Sequence, residues 1–275
     1  MAETMQFLPR SEVLTIEELL RVARIFTELG VRKIRVTGGE PLVRKGAGDL
    51  FMGLGALPGL QTLAVTTNGS QLPSTAQSLK DAGVRSLNIS LDSLHPARFR
   101  DITRVGDLQV VLRGIDAAMA AGFERIRLNA VVLDGQNRDE VLSLTQFAIE
   151  KRIHIAFIEE MPLGQVTVGG KALAYVSSET LLEELGNHYS LEPLVSDDIA
   201  GPSRDFRISG TETELGFISP HSHNFCSSCN RLRISAEGRL LMCLGNEESI
   251  DLRALLRSGD SDERIKSTII ESLVL

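Results

Sequence analysis

Apolar residues recur along the first two-thirds of the chain with two alternating periods. In residues 15–29 the positions Ile16, Leu19, Leu20, Ala23, Phe26 and Leu29 fall at helical spacing. Thr15 and Glu18 are placed to form a capping box, and Gly30 stands where a helix end favours left-handed backbone. A short strand is predicted over 33–37, ending at Gly38-Gly39. The alternation repeats, with strands over 61–67, 86–91, 125–133 and 154–158 and helices over 74–82, 108–121, 139–150 and 178–185. Asp107 is the expected cap of the helix that starts at Leu108. Strands alternating with helices predict a parallel sheet with right-handed crossovers. The units are too few for a closed eight-fold barrel, and periodicity leaves a partial barrel and a doubly wound sheet both open. From about Pro193 the pattern changes. Segment 193–223 is richer in Ser, Gly, Pro and His, with short β-like pieces at 205–208 and 215–219, and a helical tail is predicted over 252–274.

Composition narrows the function classes. The chain has 275 residues, 43% of them hydrophobic, enough to bury a full core as one large α/β domain or one domain plus an extension. A net charge of −7 and a pI of about 5.4 argue against a broad basic surface for nucleic acid. An anionic ligand must then be held by a few locally placed arginines. Aromatic residues make up 4% with no tryptophan, so stacking platforms for bases are scarce. No run approaches the roughly 20 apolar residues of a membrane span. Residues 1–10 show no charged-then-apolar leader pattern. The expectation is a cytoplasmic protein with neither membrane nor nucleic acid as partner. The three cysteines all lie between Cys226 and Cys243, an odd, clustered count that points to metal binding or thiol chemistry rather than a disulfide framework.

Small and polar residues follow each apolar strand: Thr37-Gly38-Gly39-Glu40-Pro41, Thr66-Thr67-Asn68-Gly69, Ser90-Leu91-Asp92-Ser93, Asn129, and Glu159-Glu160-Met161-Pro162. Any one of these is an ordinary turn. Five successive strand ends on one rim predict a ligand site, because open α/β sheets and barrels bind at the carboxyl ends of their strands. Gly38 and Gly39 leave the main chain bare for close approach. Glu40 can accept from a ligand ammonium, Thr66 and Ser90 offer hydroxyls, and Met161 can lie against an adenine ring. Cys226 and Cys229, followed after thirteen residues by Cys243, suit zinc or an iron–sulfur cluster. Zinc needs a fourth ligand, for which His221 or His223 is near; a cluster on three thiolates leaves one iron open to a substrate atom. A redox dithiol fits less well, since that motif opens a helix near a βαβ unit. Spacing alone favours neither metal. Arg231 and Arg233 point to one side if their segment is a strand, and then form a phosphate clamp or two solvated charges. Arg35 and Arg127 alternate with apolar neighbours inside strands, so both guanidiniums face the opposite surface, where carboxylates or a bound polyanion must compensate them.

Taken in order, Lys33-Ile34-Arg35-Val36-Thr37-Gly38-Gly39-Glu40-Pro41, Thr66-Thr67-Asn68-Gly69, Asn88-Ile89-Ser90-Leu91-Asp92-Ser93, Phe157-Ile158-Glu159-Glu160-Met161-Pro162-Leu163-Gly164, Gly216-Phe217-Ile218-Ser219-Pro220 and Phe225-Cys226-Ser227-Ser228-Cys229-Asn230-Arg231-Leu232-Arg233 resemble the GTP 3′,8-cyclases of molybdenum cofactor biosynthesis, radical S-adenosylmethionine enzymes. The resemblance spans about residues 7–265. It implies an α/β fold: a partial (βα) barrel, or incomplete TIM barrel, over 1–192, and a C-terminal α+β extension over 193–275 carrying a three-cysteine cluster. It implies two four-iron, four-sulfur clusters. One sits on a CxxxCxxC loop and cleaves S-adenosylmethionine; the other, on Cys226, Cys229 and Cys243, binds the purine through its open iron. The implied reaction abstracts a hydrogen from the GTP ribose and joins the ribose to C8 of guanine, giving (8S)-3′,8-cyclo-7,8-dihydroguanosine 5′-triphosphate. Gly39, Thr66, Ser90 and Met161 match positions that contact S-adenosylmethionine. Arg35, Arg127, Arg231 and Arg233 match GTP-binding positions, Arg127 standing where the family usually has lysine. The implied partners are GTP and the next enzyme of the molybdopterin pathway.

Two departures qualify the resemblance. The CxxxCxxC loop, the first strand with an upstream substrate arginine, and the family's C-terminal Gly-Gly tail have no counterpart in the sequence. The expectation is a fragment or a misplaced start codon, inactive in GTP cyclisation by itself, with an exposed sheet edge that invites pairing into a homodimer. The rival readings are a metal-stabilised nucleotide-binding module without radical chemistry, and a zinc-ribbon-like structural domain on an α/β body.

Overall fold

Thr15 and Glu18 close the capping box that starts α1 (Ile16–Glu28): the Glu18 amide donates to the Thr15 hydroxyl at 3.2 Å and the Thr15 amide to the Glu18 carboxylate at 2.8 Å. The computed structural model describes residues 8–160, 167–168, 171–172, 174–195, 201–222, 229–242 and 249–273. Five strands, β1 (Lys33–Val36), β2 (Thr62–Thr67), β3 (Val84–Ser90), β4 (Arg125–Asp134) and β5 (His154–Glu159), lie side by side in chain order and pair in parallel. The connections carry α2 (Ala47–Gly55), α3 (Leu72–Asp81), α4 (Pro96–Thr103), α5 (Leu108–Ala121) and α6 (Val141–Lys151). Asp107 caps α5 as predicted, its carboxylate accepting from the Gln109 amide at 2.9 Å. Periodicity did not reveal α2 or α4. In α2 the glycines Gly48, Gly53 and Gly55 blur the helical stripe, yet two are needed: a Cβ at Gly53 would stand 2.6 Å from Leu20, and one at Gly55 would overlap the Ala82 carbonyl.

After β5 come the short strands β6 (Thr167–Val168) and β7 (Lys171–Ala172), paired with each other, and β8 (Ala174–Tyr175), which pairs with the end of β4. Then α7 (Ser178–Gly186) leads to β9 (Leu191–Pro193), β10 (Arg204–Ile208) and β11 (Glu214–Ile218). β11 adds to β5 in parallel, and β10 and β9 continue antiparallel. The sheet order is β1-β2-β3-β4-β5-β11-β10-β9, with β1 and β9 as its two ends. It is an open, partial barrel of mostly parallel strands, and the segments on both sides of residue 193 belong to it.

Side-chain alternation divides this sheet into two unlike faces. Leu63, Val65, Leu87, Ile89, Ile126, Leu128, Ile155, Phe157, Leu215 and Phe217 point one way and form the main core with the helices. A second, smaller core lies between α1 and the C-terminal part, where Leu14, Val22, Ile25 and Phe26 meet Leu240, Leu252, Leu256, Ile265 and Ile269. That part contains β12 (Arg233–Ile234), β13 (Arg239–Leu241) and β14 (Ser249–Asp251), joined as an antiparallel sheet, then α8 (Leu252–Arg257) and α9 (Asp262–Leu273), two helices where one tail was predicted. Arg257 donates to the Glu18 carboxylate at 2.7 Å, Arg21 to Asp262 at 2.8 Å, and the Leu14 amide to the Ala236 carbonyl at 2.8 Å. The extension is thus anchored on α1.

Candidate functional site

The other face of the sheet is polar. Strand register places Arg35 beside Ala64, then Ser86 and Arg125. The next row runs Thr66, Asn88, Arg127, His154, Glu214 and Arg207, and the row above it Ser90, Asn129, Ala156, Gly216 and Asp205. A closed eight-stranded barrel fills this space with large apolar side chains. Here it is a trough lined by amides, hydroxyls and charges.

Cations dominate its floor. Lys33, Arg35, Arg125, Arg127 and Arg207 share the face with three carboxylates, Asp205, Glu214 and, opposite Arg207 at the sheet end, Glu192. Burial, reinforced by Arg127 and Arg125, pushes the Arg35 guanidinium down to about 10. Arg35 is nonetheless open to water, the position of a side chain ringed by protein inside an open trough. It donates to the Thr66 hydroxyl at 3.3 Å and, among the described residues, has no carboxylate within ion-pair distance. Burial also lowers Lys33, again helped by Arg35, Arg125 and Arg127. Arg127 is 8% exposed. Its Nη2 lies 2.9 Å from Asp205 Oδ2 and 3.7 Å from Glu214 Oε2. The contact with Asp205 is a charge contact rather than an aligned bond, since neither Nε nor Nη2 has a hydrogen-bond partner. Arg125 donates to Glu214, and His154 accepts from the Glu214 amide through Nδ1 at 3.1 Å. Burial, with Arg125 beside it, holds His154 down at about 4, so it is neutral at neutral pH and carries its proton on Nε2.

The rim is built from the strand ends. Gly38 has φ +152, and a Cβ at Gly38 or Gly39 would meet nothing within 4 Å, so the backbone there is open to a ligand. Glu40 is engaged within the protein. Its carboxylate accepts from the Thr67 hydroxyl at 2.9 Å, the Asn68 amide at 2.7 Å and the Leu42 amide at 3.1 Å, bracing the β1 turn to the end of β2. Asp92 accepts from the Val131 amide at 2.8 Å, and burial raises it to about 6. Buried Glu140 accepts from Ser93 Oγ at 2.6 Å, the Leu94 amide at 2.7 Å and Arg98 at 2.6 Å, fixing the loop after Ser90. Glu159, 2% exposed, accepts from the amides of Ser178, His221 and Ser222 and from the Ser222 hydroxyl. These bonds fix the approach to the cysteine motif.

Gly39, Thr66, Ser90, Arg35 and Arg127 therefore share one trough and its rim. Cys229, Arg231 and Arg233 are exposed on the extension. β12 starts at Arg233, so Arg231 precedes the ladder and strand alternation does not align the two guanidiniums. Met161, Cys226, Cys243 and His223 lie outside the described residues. Among those described, no three His, Cys, Asp or Glu side chains converge as a metal site. Motif reading missed His154, Asp205 and Glu214. The signal was present for His154, which precedes Ile155 in a strand just as Arg35 and Arg127 stand among apolar neighbours. A second depression of about 700 Å³ is lined by Arg98, Arg138, Asp139 and Glu184. Its charges are paired with one another, Arg98 with Asp139 and Arg138 with Glu184, so it offers no chemistry comparable to the trough.

The Radical SAM superfamily profile matches residues 2–148, and that of Molybdenum Cofactor Synthesis C residues 153–274. The chain is 53% identical over 277 residues to the GTP 3′,8-cyclase of Pseudomonas entomophila, a match covering 100% of this chain and 83% of that protein. It is 52% identical over 276 residues to the GTP 3′,8-cyclase of Marinobacter nauticus, with the same coverage. Among solved structures, Streptococcus suis SuiB superposes with a TM-score of 0.62 at 18% identity, over 87% of this chain and 57% of SuiB. SuiB bound to S-adenosylmethionine gives 0.61 at 17% identity, over 87% and 56%. At such identity these two speak for the fold alone. Identity over the whole length, together with both profiles, shows that the chain belongs to the GTP 3′,8-cyclase family of radical S-adenosylmethionine enzymes.

Proposed function

We propose that the trough binds GTP and that the chain serves its conversion to (8S)-3′,8-cyclo-7,8-dihydroguanosine 5′-triphosphate in molybdenum cofactor biosynthesis. The observation that carries this reading is the floor of the trough, where, among the described residues, five cations face three carboxylates and Arg127 keeps two buried donors without hydrogen-bond acceptors. A triphosphate supplies the missing negative charge, and charge-assisted bonds from Arg35 and Arg127 hold it. Arg231 and Arg233 on the extension are the remaining phosphate and purine contacts of this reading.

S-adenosylmethionine with a reduced iron–sulfur cluster supplies one-electron hydrogen abstraction when bound. The open backbone at Gly38 and Gly39, the Thr66 hydroxyl and the Ser90 hydroxyl suit its polar groups, and Met161 completes the set in sequence. Cys226, Cys229 and Cys243 provide three thiolates, which suits a cluster with one open iron. A second cluster draws no thiolates from these 275 residues, since they contain no further cysteine. That count favours a second reading, GTP binding without turnover by these residues alone.

Metal analysis tests the proposal. The chain is purified without oxygen, reconstituted, and assayed for iron, sulfide, zinc and GTP binding. About four irons and four sulfides with little zinc, and saturable GTP binding, support it. About one zinc with no sulfide overturns it. Cleavage of S-adenosylmethionine separates turnover from binding alone.

A further inference from the structure

Gly216 sits between Ala156 and Asp205 in the row above Arg127 and His154. It belongs to the run Gly216-Phe217-Ile218-Ser219-Pro220, for which the chemistry above has no use. Its φ is ordinary, so backbone freedom does not explain the glycine. Space does. A Cβ built on Gly216 would stand 2.4 Å from Ser203 Oγ, 2.6 Å from Asp205 Oδ1 and 3.2 Å from Arg127 Nη1. Three polar side chains meet in the volume a methyl group would occupy. Ser203 donates to Asp205 Oδ1 at 2.6 Å, which leaves Oδ2 facing Arg127 Nη2 at 2.9 Å. Ala156, the neighbour in the row, is equally small. The long Arg127 side chain rises from the row below into this gap.

We infer that Gly216 is a positioning residue for polyanion binding: its missing side chain leaves room for Ser203, Asp205 and Arg127 Nη1 to pack together, which holds the Arg127 guanidinium in place at the floor of the trough. This rests on the reading that the trough binds GTP. A bulkier residue displaces the guanidinium, and a misplaced donor fork loses the paired bonds that make arginine effective toward phosphate.

The test is a double-mutant cycle on the reconstituted 275-residue chain, with the GTP dissociation constant read by equilibrium dialysis up to millimolar ligand. Gly216→Ala is expected to weaken GTP binding tenfold or more. In the Arg127→Ala background the same change is expected to weaken it less than twofold, because no guanidinium remains to be moved. Equal losses in both backgrounds, or no loss in the first, overturn the inference, since the glycine then serves only the fold or nothing. If Gly216→Ala does not fold by circular dichroism, Ser203→Ala takes its place in the same cycle, since it removes the hydroxyl that orients Asp205 toward Arg127. A loss of GTP binding confined to the background that keeps Arg127 supports the inference, and no loss overturns it. Failure of the unmodified chain to bind GTP overturns the functional reading itself and is seen before any variant is made.

Discussion

Ser222 Oγ donates to Glu159 Oε1 at 2.5 Å, and this bond ties the loop before the cysteine motif to the end of β5. The same carboxylate accepts from the Ser222 and His221 amides at 3.1 and 3.0 Å and from the Ser178 amide at the start of α7 at 2.7 Å. Burial alone would raise its pKa. The Ser222 hydroxyl and the amides of Ser178, Ser222 and His221 outweigh that, and the carboxyl is held below the usual range.

Glu159→Gln keeps the shape but turns an acceptor edge into a donor facing N–H groups. The expected loss is roughly 2–4 kcal/mol of stability, from broken charge-assisted bonds and buried amides left without acceptors. Because the folded pKa is depressed, the wild-type contribution is present above the unfolded pKa and fades as pH falls below about 4. Iron bound at the neighbouring cysteines is expected to drop below half the wild-type content. Unchanged urea unfolding with full iron content would show that Glu159 does not organise this loop.

His154 gives a pH dependence of the same sign in a higher window. Its folded pKa of about 4 lies below the ordinary histidine value. Between the two, the unfolded chain binds the proton that the folded chain refuses, so stability rises with pH through that window and is lost as pH falls. From pH 6.5 to pH 5 the loss from this one residue is on the order of 1–2 kcal/mol. Thermal melts of wild type and His154→Gln at both pH values check it. The variant is expected to lose less on acidification, and equal losses would exclude His154 as the source.

Glu40 stands in the motif that sequence reading assigned to a ligand ammonium, yet its three bonds are internal. Glu40→Ala strands the Thr67 hydroxyl and the Asn68 amide. It is expected to lower unfolding stability by about 2–3 kcal/mol without any ligand present. A variant as stable as wild type in urea, but weaker in ligand binding, would restore the ligand role instead.

The alternation of strands and helices was legible because each strand of the sheet buries one face against helices, and burial imposes period. Arg35 and Arg127 were legible for the same reason, as charges breaking an apolar strand at inward positions. Helix α2 was not, because Gly53 and Gly55 answer to Leu20 and to the Ala82 carbonyl rather than to helix propensity. Nor was the pairing of β11 with β5. Residues 214–218 follow β5 by more than fifty positions, and pairing of segments so far apart leaves no local pattern. The place of Asp205 and Gly216 beside Arg127 was not legible for that reason, since only the register of β5, β11 and β10 brings them there.

Arg35 gives the most direct test of the trough. Burial lowers its pKa to about 10, with Arg127 and Arg125 as further causes, so it is still charged at pH 7 and is held in a crowd of like charges. A bound triphosphate relieves that repulsion. GTP is therefore expected to raise the melting temperature in proportion to the logarithm of its concentration above the dissociation constant. The rise should shrink as added salt screens the charges. Arg35→Gln removes one cation and its bond to Thr66 and is expected to weaken GTP binding at least tenfold, about 1.4 kcal/mol. Between pH 7 and pH 9 wild type and Arg35→Gln should show the same pH dependence of affinity, because Arg35 keeps its proton throughout. An Arg35→Gln chain that binds GTP as tightly as wild type, with the same salt dependence, would place the phosphates elsewhere.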